Sequence, residues 1–157
     1  MNKKWDLRFL GLSNYISSWS KDPSTRVGSV IVDEDRRVVS VGYNGLAKGV
    51  EDLEERLNDR DIKYKIIVHA ERNAILFSNR SLKGCTLYTW PFMSCSTCAS
   101  MVIQSGISRV VAPETDNPRW VEDFKLSKKM FEEAGVNVCL YPVNEVDAFI
   151  LNGENYA

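Results

Sequence analysis

The sequence holds a single histidine, His69; Glu71 follows it two positions later, and Cys95 and Cys98 stand a further 24 residues on. Apart, these side chains do little. Together they supply one imidazole, two thiolates and a carboxylate, which is three ligands of the kind zinc takes and one group able to carry protons. Any fold open to this chain must therefore bring the stretch from Val68 to Ile75 against Cys95-Ser96-Thr97-Cys98.

The patterning around the motifs says how. From Lys3 to Ser20 the residues Trp5, Phe9, Leu12, Ile16 and Trp19 recur every three or four positions, which predicts a helix with one buried face. Lys21-Asp22-Pro23-Ser24 breaks it. Val27 to Val32, the polar turn Asp33 to Arg36, and Val38 to Val41 then predict an antiparallel hairpin. Gly42-Tyr43-Asn44-Gly45 reads as a turn at its end, or as a place where backbone approaches a ligand. Val50 to Lys65 is dense in charge and predicts a loop with one helical turn at Leu53 to Leu57. Val68 to Phe77 predicts a helix with His69 and Glu71 in its first turn. Strands at Gly84 to Thr89, Ile107 to Ala112 and Val136 to Leu140 alternate with two helices. One runs from Ser96 to Ser105, with Ser94 as its cap and Gly106 as its stop; the other runs from Arg119 to Ala134 and ends at Gly135. Such alternation implies parallel pairing. The expectation is an α/β fold, a mixed five-stranded sheet with helices on both faces, forming one domain over residues 1–157.

Composition removes several classes of function. A net charge of -1 argues against a chain built to neutralise a nucleic-acid polymer, while leaving room for a ligand with one or a few phosphates. No apolar run approaches the roughly 18 to 20 residues that span a bilayer, and Met1 to Asp6 lacks the apolar segment of an export signal. The expectation is a cytoplasmic protein with no membrane partner. In that compartment the four cysteines stay reduced, Cys95 and Cys98 as metal or redox groups, Cys85 and Cys139 as small side chains within apolar runs.

Both motifs open predicted helices, whose N-termini favour anions and so stabilise thiolates. Three protein ligands leave zinc one open tetrahedral position, as in catalytic sites, and Glu71 is then free to move protons. Two other readings use the same residues. A structural zinc needs a fourth ligand, which Cys85 or Cys139 would have to supply; a redox dithiol leaves His69 and Glu71 without a role.

H-x-E followed by C-x-x-C is the signature of zinc nucleobase deaminases. The chain resembles their deoxycytidylate (dCMP) branch, within the cytidine deaminase superfamily, in four blocks. These are Ser20-Lys21-Asp22-Pro23 with Arg26 to Val32, Gly42 to Gly45, His69-Ala70-Glu71 with Asn73-Ala74-Ile75, and Cys95-x-x-Cys98-Ala99 running into Ile103 to Ile107. The resemblance implies a three-layer α/β/α sandwich that binds one Zn²⁺ per chain through His69, Cys95 and Cys98, with Glu71 as proton shuttle. The implied reaction is hydrolysis of dCMP to dUMP and ammonia by a homo-oligomer, a dimer or a hexamer. By the same resemblance Asn44 and Ala70 contact substrate, Ser20, Lys21 and Arg26 lie where phosphate is recognised, and Trp90 and Phe92 wall the pocket. The alternatives are a deaminase of another base, nucleoside or nucleotide, such as cytidine, CMP or guanine, and a non-catalytic zinc-stabilised binding module.

The chain departs from the family pattern at Ser94, where proline usually precedes the first cysteine, and at Ala47, also commonly proline. Its charged segment from Glu54 to Lys65 contains no His or Cys, so no second zinc is expected. That segment is a solvated surface, or it brings Arg60, Lys63 or Tyr64 to a phosphate or effector. Trp120 reads as packing its helix against the sheet.

Overall fold

The structure is a computed structural model that describes residues 2–152. Helix α1 (Lys3–Ser17) is followed by strands β1 (Gly28–Val32), β2 (Val38–Tyr43) and the short β3 (Gly45–Leu46). Helices α2 (Glu54–Asn58) and α3 (Arg60–Ile66) lead through β4 (Ile67–Val68) into α4 (Ala70–Leu76). The remainder alternates: β5 (Thr86–Trp90), α5 (Ser96–Gln104), β6 (Arg109–Pro113), α6 (Pro118–Glu133), β7 (Asn137–Tyr141) and α7 (Val143–Asn152).

Five strands form one sheet in the order β2-β1-β5-β6-β7. The β1 strand pairs antiparallel with both neighbours, whereas β5, β6 and β7 run parallel, so the sheet is mixed as the alternation predicts. Strand side chains alternate between faces. Val30, Val32, Tyr88 and Val111 join Leu7, Leu10, Val146 and Phe149 of α1 and α7 in one buried layer. Ile31, Leu87, Val110 and Ala112 join Ala74, Ala99, Val102, Phe124 and Phe131 of α4, α5 and α6 in the other.

Two glycines let helices sit directly on the hairpin. A Cβ on Gly28 would lie 2.1 Å from the Ser13 carbonyl of α1, and one on Gly42 would lie 2.4 Å from both the Ala70 carbonyl and the Ala74 amide of α4. Gly42 is thus not a turn residue. It is a strand residue chosen for the absence of a side chain beneath α4.

Other sequence expectations shift at element ends. The first helix stops at Ser17, so Trp19 lies beyond it, 48% exposed, with its ring edge-on to Tyr15 and Tyr43. The charged loop contains a second helix, α3, whose Asp59 side chain accepts from the amides of Asp61 and Ile62. Ser94 does not cap α5: Cys95 takes that position and forms no side-chain cap bond. Helix α7, with Val146 and Phe149 buried, completes the layer of α1.

Candidate active site

His69 and Cys95 both occupy the N-cap position of a short helix, α4 and α5, with extended backbone (φ −68°, ψ 155° and φ −65°, ψ 166°) and no capping bond from the side chain. A cap residue normally spends its side chain on the helix's own free amides. Here both side chains are left free to bind something else. The cap of α5 comes from elsewhere: Asp123 of α6 accepts from the Ser96 amide at 2.9 Å and from the Ser96 hydroxyl at 2.7 Å. Asp123 gives no signal in sequence, because its partner is 27 residues away.

Cys98, on the first turn of α5, completes the cluster. His69 Nδ1 lies 3.1 Å from Cys98 Sγ and 3.5 Å from Cys95 Sγ, and the three donor atoms all fall within 4.8 Å of one another. Tetrahedral zinc with ordinary bond lengths places nitrogen and sulfur ligands about 3.6 Å apart. The donor set therefore fits zinc in both chemistry and spacing. Neither Cys85 nor Cys139 belongs to the cluster, so among the described residues it lacks the fourth ligand a structural site needs. Without metal the two thiols share charge unequally. The Cys98 thiol donates to Cys95 and, with His69 and Thr97, holds Cys95 down to about 3, while Cys98 is pushed up. Bonding to Cys95 raises His69 against the effect of burial.

Glu71, in the first turn of α4, is 4% exposed. Burial pushes its carboxyl above the ordinary carboxylate range; the neighbouring His69 opposes this, and the nearby Cys95 adds to it. The Ser94 hydroxyl, in the place where proline is usual, lies close enough to draw the carboxyl back down, yet closes no full hydrogen bond to any described atom.

One cavity of about 90 Å³ joins these groups. Its lining includes His69, Ala70, Glu71 and Cys95 together with Asn44, Asp22, Ser24, Thr25 and Val27. Asn44 is fixed on three partners: its carbonyl accepts from the Val27 amide at 2.8 Å, and its amide donates to the Thr25 carbonyl at 2.9 Å and to Asp22 at 3.3 Å. Part of the lining is aromatic, Phe92 lying 5.7 Å from Trp120 and 5.4 Å from Phe124 between ring centres. Trp120 therefore faces the cavity instead of only packing its helix on the sheet.

Of the remaining residues expected at the substrate, Ser20, Lys21, Arg26 and Trp90 do not line this cavity. Ser20 is buried behind it, donating to the Asn44 carbonyl at 2.8 Å. Lys21 turns outward to Asp52 at 2.8 Å, and Arg26 is exposed. Trp90 lies two residues after Tyr88, so strand alternation sends it to the α1 face, away from the site. In their place the structure brings Lys63, Tyr64 and Arg119, from the charged segment and the start of α6. Lys63 is buried with its ammonium 3.1 Å from Asp22.

Comparison with known proteins agrees with this geometry. Residues 3–114 match the family described as cytidine and deoxycytidylate deaminase zinc-binding region. A deaminase from the luxG 3′ region of Aliivibrio fischeri is 45% identical over 147 residues, covering 92% of this chain and 98% of that protein. Deoxycytidylate deaminase of Mus musculus is 34% identical over 139 residues, 85% of this chain and 77% of the relative. Among solved structures, the dCMP deaminase of cyanophage S-TIM5 in complex with dCMP and dUMP superposes with a TM-score of 0.71 over 90% of this chain and 99% of that one, at 20% identity. The match over most of the chain, on a fold that gathers the His69, Cys95 and Cys98 donors beside Glu71, places this protein in the zinc-dependent cytidine and deoxycytidylate deaminase family.

Proposed function

We propose that this chain hydrolyses deoxycytidylate to deoxyuridylate and ammonia, using one zinc held by His69, Cys95 and Cys98. The observation that carries the reading is a three-donor cluster, one short of a closed tetrahedral site, of which His69 and Cys95 line the same cavity as the buried carboxyl of Glu71. When bound by these three residues, zinc would supply the Lewis acidity that activates water for attack at neutral pH.

The chain's own residues supply the rest. Glu71 takes the proton released as water is activated and delivers it to the ring nitrogen of the cytosine; it then takes the second proton, from the hydroxyl added to the ring carbon, and passes it to the amine as the carbonyl forms and the C–N bond breaks to release ammonia. Its burial suits this role, because a carboxyl raised towards neutrality accepts and returns a proton more readily than one held as a firm anion. Ala70, 0% exposed and seated on Gly42, keeps Glu71 in place. Phe92 and Trp120 offer apolar ring faces to a planar base, and the fixed Asn44 side chain presents polar atoms to the sugar.

The nucleotide branch is supported by relatives named deoxycytidylate deaminase, among them the Mus musculus protein. We expect a small-molecule nucleotide as the only substrate class, and activity in the cytoplasm; among the described residues no helix is long and apolar enough to cross a membrane. Self-association into a homo-oligomer is supported by large side chains left in solvent, among them Leu76 at 72% and Phe77 at 68% exposed. Sedimentation velocity decides its order. The test of the reaction is ammonia release from zinc-loaded protein given dCMP, CMP, deoxycytidine, cytosine and guanine. The expected result is fastest turnover of dCMP; turnover confined to unphosphorylated compounds would overturn the nucleotide assignment.

A further inference from the structure

The charges around the cavity do not close on themselves. Apart from the metal-donor residues, four charged side chains line it: Asp22, Lys63, Glu71 and Arg119. Asp22 is fully engaged by the Lys63 ammonium at 3.1 Å, by the Asn44 amide, and by the backbone amides of Ser24 at 2.8 Å and Thr25 at 3.2 Å. Glu71 is buried beside the metal donors. Arg119 alone has no carboxylate partner among the described residues.

Its surroundings make that absence informative. Arg119 is the second residue of α6, a helix of 16 residues capped by Asn117, and the first turn contains no acidic residue. A helix start carries a partial positive charge, so a cation is unfavourable there unless an anion answers it. The side chain is exposed but braced: its guanidinium carbon lies 4.8 Å from the centre of the Trp120 ring and 5.9 Å from that of Tyr64, and the guanidinium donates to the Tyr64 hydroxyl. An arginine braced in this way has further N–H groups for an anion, and a phosphate accepts two parallel N–H bonds from a guanidinium fork.

We propose that Arg119 is the residue by which this enzyme distinguishes the phosphorylated substrate from the nucleoside, binding the 5′-phosphate monoester with Tyr64 as its holder in the free enzyme. The inference rests on the deoxycytidylate reading above. Of the other cations nearby, Lys63 is committed to Asp22 within the cavity and Lys21 to Asp52 outside it, while Arg26 is exposed and does not line the cavity. On binding, the Tyr64 hydroxyl is released from Arg119 and is free to donate to a phosphate oxygen. No bond is made or broken at this subsite, so its effect falls on substrate affinity.

The test is steady-state kinetics of zinc-loaded wild type, R119A and R119K with dCMP and with deoxycytidine. In R119A the KM for dCMP should rise about 10- to 100-fold, the range for losing a hydrogen bond to a charged group. The kcat for dCMP and the kcat/KM for deoxycytidine should change far less than that KM, so that the preference for dCMP over deoxycytidine shrinks. R119K, a point charge without the fork, should recover part of the loss. A structural role would lower the melting temperature, whereas removing a cation from a helix start should leave it unchanged or slightly raised. Should R119A fail to fold, R119Q, which keeps length and two donors, carries the same comparison. Wild type that prefers dCMP while the variant keeps the same preference overturns the assignment of Arg119 alone. Wild type that uses deoxycytidine and ignores dCMP overturns the deoxycytidylate reading, and the role of Arg119 with it.

Discussion

The substitution G42A tests whether the sheet positions the chemistry. The Cβ it adds would sit 2.4 Å from the Ala70 carbonyl, 2.4 Å from the Ala74 amide and 3.0 Å from the Ala74 Cα. The first two groups are four residues apart in α4 and face each other across one helical turn. Because all three contacts are backbone, no side chain can rotate away, and ordinary contact distance requires α4 to retreat by about 1 Å from β2. Overpacking of this kind costs about 1 to 3 kcal/mol, and for a domain of this length each kcal/mol lowers Tm by about 2 to 4 °C. The displaced segment carries Ala70 and Glu71 and begins at His69. A shift of about 1 Å in reacting groups can reduce turnover about 100-fold. G45A is the internal control, since a Cβ there meets nothing within 4 Å. Thermal melts followed by circular dichroism, together with dCMP turnover, give both readouts. If G42A keeps wild-type Tm and turnover, or if G45A is impaired as severely, the argument that α4 is seated on a bare strand is wrong.

Two further predictions concern groups outside the cavity. Asp6 of α1 accepts from both terminal nitrogens of the buried Arg109 at 2.8 and 2.6 Å, from Tyr88 at 2.8 Å and from Tyr141 at 2.6 Å. D6A leaves Arg109 buried and unpaired and should cost about 3 to 5 kcal/mol, read as a lower urea midpoint. Burial pushes the Asp6 carboxyl up, but bonds from Arg109, Tyr141 and Tyr88 outweigh it and hold the carboxyl below its ordinary range. Its stabilisation is therefore complete above the unfolded value of about 3.9 and is lost as pH falls through the lower folded value. D6N should flatten the dependence of the urea midpoint on pH below about 4; equal slopes in the two proteins would contradict this. D123A removes the acceptor that caps α5 and should cost about 1 kcal/mol. It should also weaken zinc binding about tenfold in a chelator competition, because Ser96 adjoins the donor Cys95; unchanged affinity would show that Cys95 is held without Asp123.

Much of this arrangement is legible in sequence because it is local. Period-two and period-three-to-four patterns locate the five sheet strands and most helices within a few residues, and the spacing of His69, Glu71, Cys95 and Cys98 names the metal chemistry before any fold is known. What sequence hides is contact across the chain. The helix α3 lies in a stretch whose charges mask its single buried residue, Lys63, and that lysine is buried only because Asp22, 41 positions earlier, meets it. The block from Ser20 to Arg26 marks the right region, but its cations point outward, and its contribution to the cavity comes through Asp22, Ser24 and Thr25. Gly42 is visible as a glycine and not as the seat of α4, since the helix that rests on it begins 28 residues later. Arg119 and Trp120 read as a helix start on a surface until the fold turns them toward Tyr64 and Phe92.

The central claim is that Glu71 moves protons at an open three-donor zinc site, and E71Q addresses it most directly. Glutamine preserves the volume of the side chain and removes only its ability to exchange a proton. Measured side by side, wild type and E71Q should each hold one zinc per chain by metal analysis, and wild type should release ammonia from dCMP. E71Q should fall by about 10²- to 10⁴-fold in kcat, the usual contribution of a positioned acid–base group. Zinc-loaded E71Q turning over dCMP at the wild-type rate would contradict the account.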